Sequence, residues 1–364
     1  MISLKEFRQN AQKLYKTTPL TNKKHGLGIV RDNSFLDFTN TKKQEVSYNN
    51  KDHLHTFEEL EQKQVKGLAK IKENMLFEAQ EKIEHLHNSS FDLKVMYFEA
   101  NKDHGKIVLK KEFEEIGFEN LVIYIGENAK VNLLVDVSNN KKGFGTDFVK
   151  IILDNNSFAN ILYSKDMSKE YYLHSKIESI AFKDSNLVIT SADFGGKLIV
   201  SDTITNMVGK GSNTKTNNLF YGRRQERFDI KGASIHKEAN TYSLLTEKGV
   251  LEDSEAITRG LVKIESPAFD SNGYQKSDIL MLDEKARAVS IPDLLIHNNE
   301  VACSHGSTIS DLEEDKVFYL QSRGLSKKEA QRQLIEGFFY PVIDTLEVEE
   351  FKDFLLKKIE ARLD

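Results

Sequence analysis

Gly126-Glu-Asn-Ala-Lys-Val-Asn-Leu-Leu-Val-Asp-Val137 is the stretch on which the fold turns. Val131, Leu133, Val135 and Val137 alternate with Asn132, Leu134 and Asp136, the period of two expected of a strand with one face in a core. The polar turn before it, Gly126-Glu-Asn128, returns as Asp154-Asn-Asn156 and again as Lys183-Asp184-Ser185, so Asn128, Asn156 and Asp184 recur every 28 residues. Similar strands read at Ser185–Ser191, Lys197–Thr203 and Ile257–Ile264, with further turns expected at Gly209-Lys-Gly211 and Gly232-Ala-Ser234. A strand-and-turn repeat of this length points to a β-solenoid, in which no coil can bury its inner face until a neighbour stacks on it. A β-sandwich is the competing reading of the same alternation. No helical segment of the length a βαβ unit needs interrupts the strands, which argues against a doubly wound sheet.

Proline supports a long sheet. The four prolines stand at 19, 267, 292 and 341, so none falls between 20 and 266. A residue with no N–H to give is excluded from central strands. The β-region is therefore expected from Phe91 to about Val301, between helical parts. Residues 1–17 read as a short amphipathic helix and 18–54 as irregular polar chain. Thr56 and Glu59 form a capping box that opens a helix carrying Leu60, Val65, Leu68, Met75, Ala79, Ile83 and Leu86 to about His87. After Thr308 the helical period returns. Asp311 is placed to cap a helix through Val317, Phe318 and Leu320 that closes at Gly324, Ser326 and Glu329 form a second capping box, and a last helix covers about Val348–Arg362. The expected division is 1–90 helical, 91–308 β-solenoid and 309–364 helical.

Composition removes several classes of function. In 364 residues there are 51 Lys and Arg against 56 Asp and Glu, a formal net charge of −5, which argues against nucleic acid as the main partner. No apolar run reaches the length of a membrane span, and the first residues lack the pattern of a secretory signal. The single cysteine, Cys303, cannot form an internal disulfide, so a reducing cytoplasm is the expected compartment.

One tract gathers metal-capable side chains: His297-Asn-Asn-Glu-Val-Ala-Cys-Ser-His305. Thiolate and neutral imidazole are the usual ligands of zinc and iron–sulfur clusters. On a strand, Cys303 and His305 share a face. Such sites want four ligands, so this one is incomplete unless a second polypeptide contributes. The plainer reading is a small apolar Cys and a His bonded to backbone. His53-Leu-His55 and His85-Leu-His87 flank the expected helix and read as surface or capping residues. No phosphate loop, nucleophile elbow or zinc-protease motif occurs, and no nucleophile–base pair can be assembled, so an independent enzyme is not indicated. A polysaccharide-acting solenoid enzyme would need an acidic cluster on one face, which is not visible.

The run Cys303-Ser-His-Gly-Ser-Thr-Ile-Ser-Asp-Leu-Glu-Glu-Asp-Lys-Val-Phe-Tyr-Leu-Gln-Ser-Arg-Gly-Leu-Ser-Lys-Lys-Glu-Ala330 resembles the signature of the SufB/SufD family, a Ser-His-Gly-Ala-Thr run followed by an acidic turn, Phe-Tyr-Leu, Ser-Arg-Gly and a Glu-Ala helix. Leu334-Ile-Glu-Gly-Phe338 continues it, and Gly260-Leu-Val-Lys-Ile264, Asn272-Gly-Tyr-Gln275 and Ile291-Pro-Asp-Leu294 resemble the blocks that precede it. The resemblance covers about residues 225–346. It implies a right-handed parallel β-helix flanked by N- and C-terminal helices, and a non-catalytic scaffold role in iron–sulfur cluster assembly. It also implies a SufC-type ABC ATPase on the C-terminal helices, where Phe318, Tyr319, Arg323 and Phe338 are the matching positions. Local helix packing is the plain alternative for these four.

The resemblance favours a SufD-like chain. SufB-like members carry a ligand cysteine about nine residues before the signature histidine and a glutamate just beyond it; Ile296 and Gly306 stand there in this chain. By the same resemblance His305, with Cys303 beside it, would hold a transient cluster at an interface with a SufB-like paralogue, no cofactor being held stably by the chain alone. A homodimeric scaffold working without a separate SufB, and a purely structural subunit that never touches the cluster, are the alternatives.

Overall fold

The computed structural model describes residues 4–18, 23–25, 29–31, 46–49, 52–79, 81–89 and 92–363. Its centre is a parallel β-solenoid of about eight coils, each made of two strands, beginning with Leu93–Phe98 and Asp103–Glu112 and ending with Arg287–Ile296 and Val301–Asp311. Odd and even strands separate into two facing sheets of 9 strands each, and every solenoid strand pairs in parallel with the strand one coil away. The sandwich alternative fails on this point, because neighbours in a sheet are coils and not hairpins.

The repeating turn has a simple physical basis. Asn128, Asn156 and Asp184 all adopt φ between +54° and +56°, a left-handed conformation that Asn and Asp tolerate best among non-glycine residues. Each of the three N–H groups donates to a carbonyl of the next coil, on Asn155, Lys183 and Lys210. The amides also stack: Asn156 Nδ2 donates to Asn128 Oδ1 at 2.7 Å, and Asn128 Nδ2 to Asn101 Oδ1 at 2.8 Å.

Inward residues of the first coils form one apolar column set that includes Leu121, Ile123, Leu133, Val135, Ile151, Ile161 and Ile189. The outer face of one sheet (Leu162, Phe194, Leu219, Tyr221, Val250) is covered by α6 (Lys327–Ile343) and α7 (Glu349–Glu360). The outer face of the other is covered by short N-terminal helices. These are α2 (Phe57–Gln62) and α3 (Leu68–Asn74) over Val122, Tyr124 and Ile152, with α4 (Lys82–Ser89) and its neighbour α1 (Leu4–Thr17) against Phe118.

Several expectations are corrected. The helix expected from Thr56 to His87 is three helices. The capping box is present, but Gln64 and Gly67 take positive φ, and a Cβ at Gly67 would stand 2.0 Å from Tyr124 Oη. The chain 18–54 falls largely outside the described residues, and within it Lys23–His25 pairs antiparallel with Ile29–Arg31. Gly232 is no turn. It lies inside strand Arg227–His236, where a Cβ would meet Leu245 Cδ1 at 2.5 Å. Asp311 ends the last strand, and α5 (Glu314–Ser322) starts from Glu313 without a side-chain cap. Gly324 does follow α5 with φ +98°, and Ser326 and Glu329 do form the capping box of α6. His87 is fully buried, stacked on Phe148 at 3.8 Å and bonded to Thr146 and Asn120. His85 is buried too, with burial lowering its pKa, so this pair is no surface feature. His53 and His55 are half-buried, His53 packing on Phe98 at 4.9 Å and His55 standing 3.7 Å from the capping-box residue Glu59.

Candidate functional site

The two ends of the solenoid differ. At the N-terminal end, short antiparallel strands cover the first coil: Ser47–Tyr48 pairs with Asp103–Glu112, and Leu54–Thr56 with Leu93–Phe98. At the other end nothing among the described residues pairs with the outer edges of Arg287–Ile296 or Val301–Asp311, the last strands in the two sheet orders. Their side chains are half-buried or exposed throughout, in contrast to the coils beneath. Leu295 is 48% exposed, Ile296 38% and Ile309 40%, an apolar set on open strand edges.

Both candidate ligands sit on this coil. Alternation makes residues 303, 305 and 307 the inward side of Val301–Asp311, and the register sets Cys303 over Gly273 and His305 over Gln275. Cys303 is half-buried against Val262, Ile264, Ala268 and Leu294, and burial pushes its thiol pKa up. His305 is exposed and makes no hydrogen bond among the described residues. Same-face residues two apart on a strand lie about 7 Å apart, close enough for both side chains to reach one bound group. Among the described residues no three His, Cys, Asp or Glu side chains gather into a metal site. His297 follows the end of the preceding strand, outside the strand that carries the pair.

A second exposed surface lies on the C-terminal helices. Phe318 is 73% exposed and Tyr319 56%. Arg323 donates to Tyr319 Oη at 3.2 Å with its guanidinium 5.3 Å above that ring, an arrangement that holds the pair as one flat surface. Phe338 behaves differently. It packs partly buried beside Phe339, with Lys248 Nζ 4.1 Å over its ring, so it belongs mainly to the seam between α6 and the solenoid. Tyr340, 60% exposed on α6, is a surface aromatic that no motif in the sequence singles out. No helix of the described residues is long and apolar enough to cross a membrane.

With this geometry described, comparison with known proteins is decisive on family. Residues 107–338 match the domain described as SUF system FeS cluster assembly, SufBD core domain, which is more than half of the chain. The chain is 34% identical over 165 residues to the iron–sulfur cluster assembly protein SufD of Bacillus subtilis, covering 45% of this chain and 38% of that protein. To SufD of Escherichia coli it is 28% identical over 170 residues, 46% of this chain and 40% of the relative. A SufBD family protein of Staphylococcus saprophyticus is 23% identical over 236 residues, 64% of this chain and 51% of the relative. The chain thus spans between about two fifths and a half of the curated relatives it matches. A parallel solenoid with a cysteine and a histidine on its exposed last coil is the class of protein defined here. The chain belongs to the SufB/SufD family, and it is SufD-like.

Proposed function

We propose that this chain is a SufD-like, non-catalytic subunit of an iron–sulfur cluster assembly scaffold. In this reading it supplies half of a cluster site from its open coil and recruits an ABC ATPase through its C-terminal helices. The observation that carries the reading is the uncovered last coil, which turns His305 and Cys303 toward the one face of the solenoid where another chain can complete the ligand set. A SufB-like paralogue with its own thiolate is the partner that fits, because unpaired edges 10 and 11 residues long with exposed Leu295, Ile296 and Ile309 accept a second sheet edge. The cluster is cargo, held between subunits and released. A reducing compartment, the cytoplasm, follows from the need for a free thiol.

The ATPase is assigned to the Phe318–Tyr319 surface, beside a groove of about 390 Å³ between α5, α6 and Leu282. The double change Phe318→Ala with Tyr319→Ala is expected to abolish capture of the ATPase by the tagged chain while changing stability by less than about 0.5 kcal/mol, since exposed rings away from packed sites contribute little. Unchanged capture in a pull-down would remove this surface from the assignment.

His305→Ala tests the cluster role. Reconstitution with the partner under anaerobic conditions should lose cluster yield and alter the absorption spectrum, whereas a purely structural subunit would give an unchanged yield. The composition of the native complex, by anaerobic size-exclusion with light scattering, separates partners. An ATPase with a second solenoid protein fits the SufD role. A dimer of this chain with the ATPase alone replaces it with the self-paired scaffold.

A further inference from the structure

Beneath His305 polar side chains enter the interior of the solenoid. The inward residues of the last coils include Thr216 and Asn218, then Gly232 and Ser234, then Glu247, then Thr258 and Gly260, then Gln275 and Ser277, set among Phe220, Ile230, Leu245, Val262 and Ile279. Glu247 is 2% exposed, and its Oε1 has no hydrogen-bond partner among the described residues. Gln275 is 6% exposed. Its Nε2 donates to the Asp293 carbonyl at 3.1 Å, which fixes its Oε1 inward and equally unpartnered. Both side chains line one cavity of about 10 Å³, with Gly260, Ser277, Ser290 and Gly306. That is room for one water, which could donate to both orphan oxygens.

Hydroxyl pairs then bridge the two sheets, one rung per coil. Thr258 and Ser277 are 3.2 Å apart at the level above Glu247, and in the final coil Ser307 donates to Ser290 at 2.9 Å. The register stacks these rungs one strand spacing apart, about 4.8 Å. Glu247 is paired with Ser277 and Ser277 with Ser307, while Thr258 is paired with Ser290. The one-water cavity that Glu247, Ser277 and Ser290 line together is the link from one rung to the next. Ser307 stands on the open face two residues from His305.

We propose that Glu247 is a proton-exchanging acid, joined through the Thr258–Ser277 and Ser290–Ser307 rungs to the open end of the solenoid. A hydroxyl, or the water of the cavity between the rungs, that accepts a proton on one side and gives its own on the other passes one H⁺ along the ladder, with no electron changing hands. Metallation of a thiol or an imidazolium releases such protons. This purpose rests on the cluster reading above; the proton site itself does not.

The electrostatics agree. Burial, opposed by the Ser277 and Thr258 hydroxyls, the Gly232 N–H and the charge of Arg259, pushes the Glu247 carboxyl up to about 7. Of the charged groups around it, Arg259 opposes the rise, acting from the outer side of its strand. Arg259 is bound to Asp229, Lys248 and Lys276 lie on outer faces with Asp278, and His236 is held by Thr241 and Ser243. With the folded-state pKa raised, the stability that protonation contributes is complete below the ordinary carboxylate range and is lost as pH rises through about 7.

The test is infrared spectroscopy of the whole chain without partner or metal. A carboxylic-acid C=O band, isolated as wild type minus Glu247→Gln, should be present at pH 6, vanish with a midpoint near neutrality, and shift on mixing with D₂O. The Glu119→Gln variant controls for the other buried acid whose carboxyl is pushed to about 7. In Ser290→Val with Ser307→Val, two changes on the open coil, the band and its midpoint should remain while the D₂O shift slows by about 10²-fold, the scale on which a lost proton-transfer partner acts. A missing band, a band that survives Glu247→Gln, or an exchange rate indifferent to the rung would each overturn the proposal. Loss of cluster yield in His305→Ala moves independently of all three, so the two readings fail separately.

Discussion

Asp147→Ala is expected to destabilise the chain by about 3–5 kcal/mol, because it strands a buried ammonium without its counter-charge. Lys111, on the first coil, and Asp147, on the third, meet in the interior of the solenoid, and both side chains are 0% exposed. Lys111 Nζ donates to Asp147 Oδ1 at 2.5 Å and to Tyr163 Oη at 2.5 Å, and Tyr163 in turn donates to Asp147 Oδ2 at 2.5 Å, a closed triangle linking the two sheets. Burial and the Asp147 charge push the Tyr163 pKa well above the ordinary phenol range, so this hydroxyl stays protonated and cannot replace the lost anion. Glu119, one coil away and in register with Asp147, offers partial relief and sets the result toward the lower end of the range. The paired change Lys111→Met with Asp147→Leu is expected to be nearly neutral, since a buried ion pair can give way to packed apolar groups of similar volume. Urea unfolding of the two variants decides it. A loss below about 1 kcal/mol in Asp147→Ala, the range of an exposed pair, would show that water reaches the triangle.

That network marks where the sequence stops being readable. Alternation at Val131–Val137 and the spacing of Asn128, Asn156 and Asp184 expose the solenoid, because those three turns are equal in length and each needs a residue that accepts positive φ. Later coils change length by a residue or two: Asn186 pairs with Asn213, Asn213 with Tyr242, and Ser271 with Val301. The strict period fades there, and Gly232 reads as a turn glycine although it is a close-approach glycine inside a strand. Lys111 and Asp147 look like ordinary surface charges in one dimension; only closure of the two sheets shows that both point inward.

The candidate site is legible in part. Spacing alone places Cys303 and His305 on one face of one strand, and the fold puts that face on the open coil. Incompleteness is visible too, as a shortage of ligands. What lies beyond reach is the floor beneath them. Glu247, Gln275, Thr258 and Ser277 are scattered over three strands and become neighbours only through the register. Phe338 resembles a surface aromatic by its position in a motif, yet the helix turns it toward Lys248 and the seam, leaving Phe318 and Tyr319 outward.

Phe339→Ala is the second large effect, and it should be local. Phe339 is 0% exposed between α6 and the sheet, 6.4 Å from the Tyr221 ring and among Leu162, Phe194, Leu219 and Val250. Truncating a phenylalanine in such a packed seam costs about 3–5 kcal/mol. The other ties between helices and solenoid are the apolar seam of Ile335, Val342, Ile343, Leu346, Phe351, Leu355 and Ile359 and a set of peripheral polar links that includes Asn160 Nδ2 to the Thr345 carbonyl at 3.0 Å, Asn217 Nδ2 to Thr345 Oγ1 at 3.0 Å, Lys358 to Asp166 at 2.7 Å and Arg362 to Glu226. Because a solenoid is held coil by coil, losing this lid leaves the stacked strands their own contacts. Hydrogen exchange should therefore show α6 and α7 amides losing protection by most of the substitution's free energy while strands Phe158–Met167 and Asn186–Gly195 change little. ATPase capture should weaken with it, since α5 and α6 would hold their joint surface for a smaller fraction of the time, even though Phe318 and Tyr319 are untouched. Equal loss of protection in the helices and throughout the strands would mean that lid and solenoid unfold as one unit, and a defect in ATPase capture could then no longer be assigned to the helical surface.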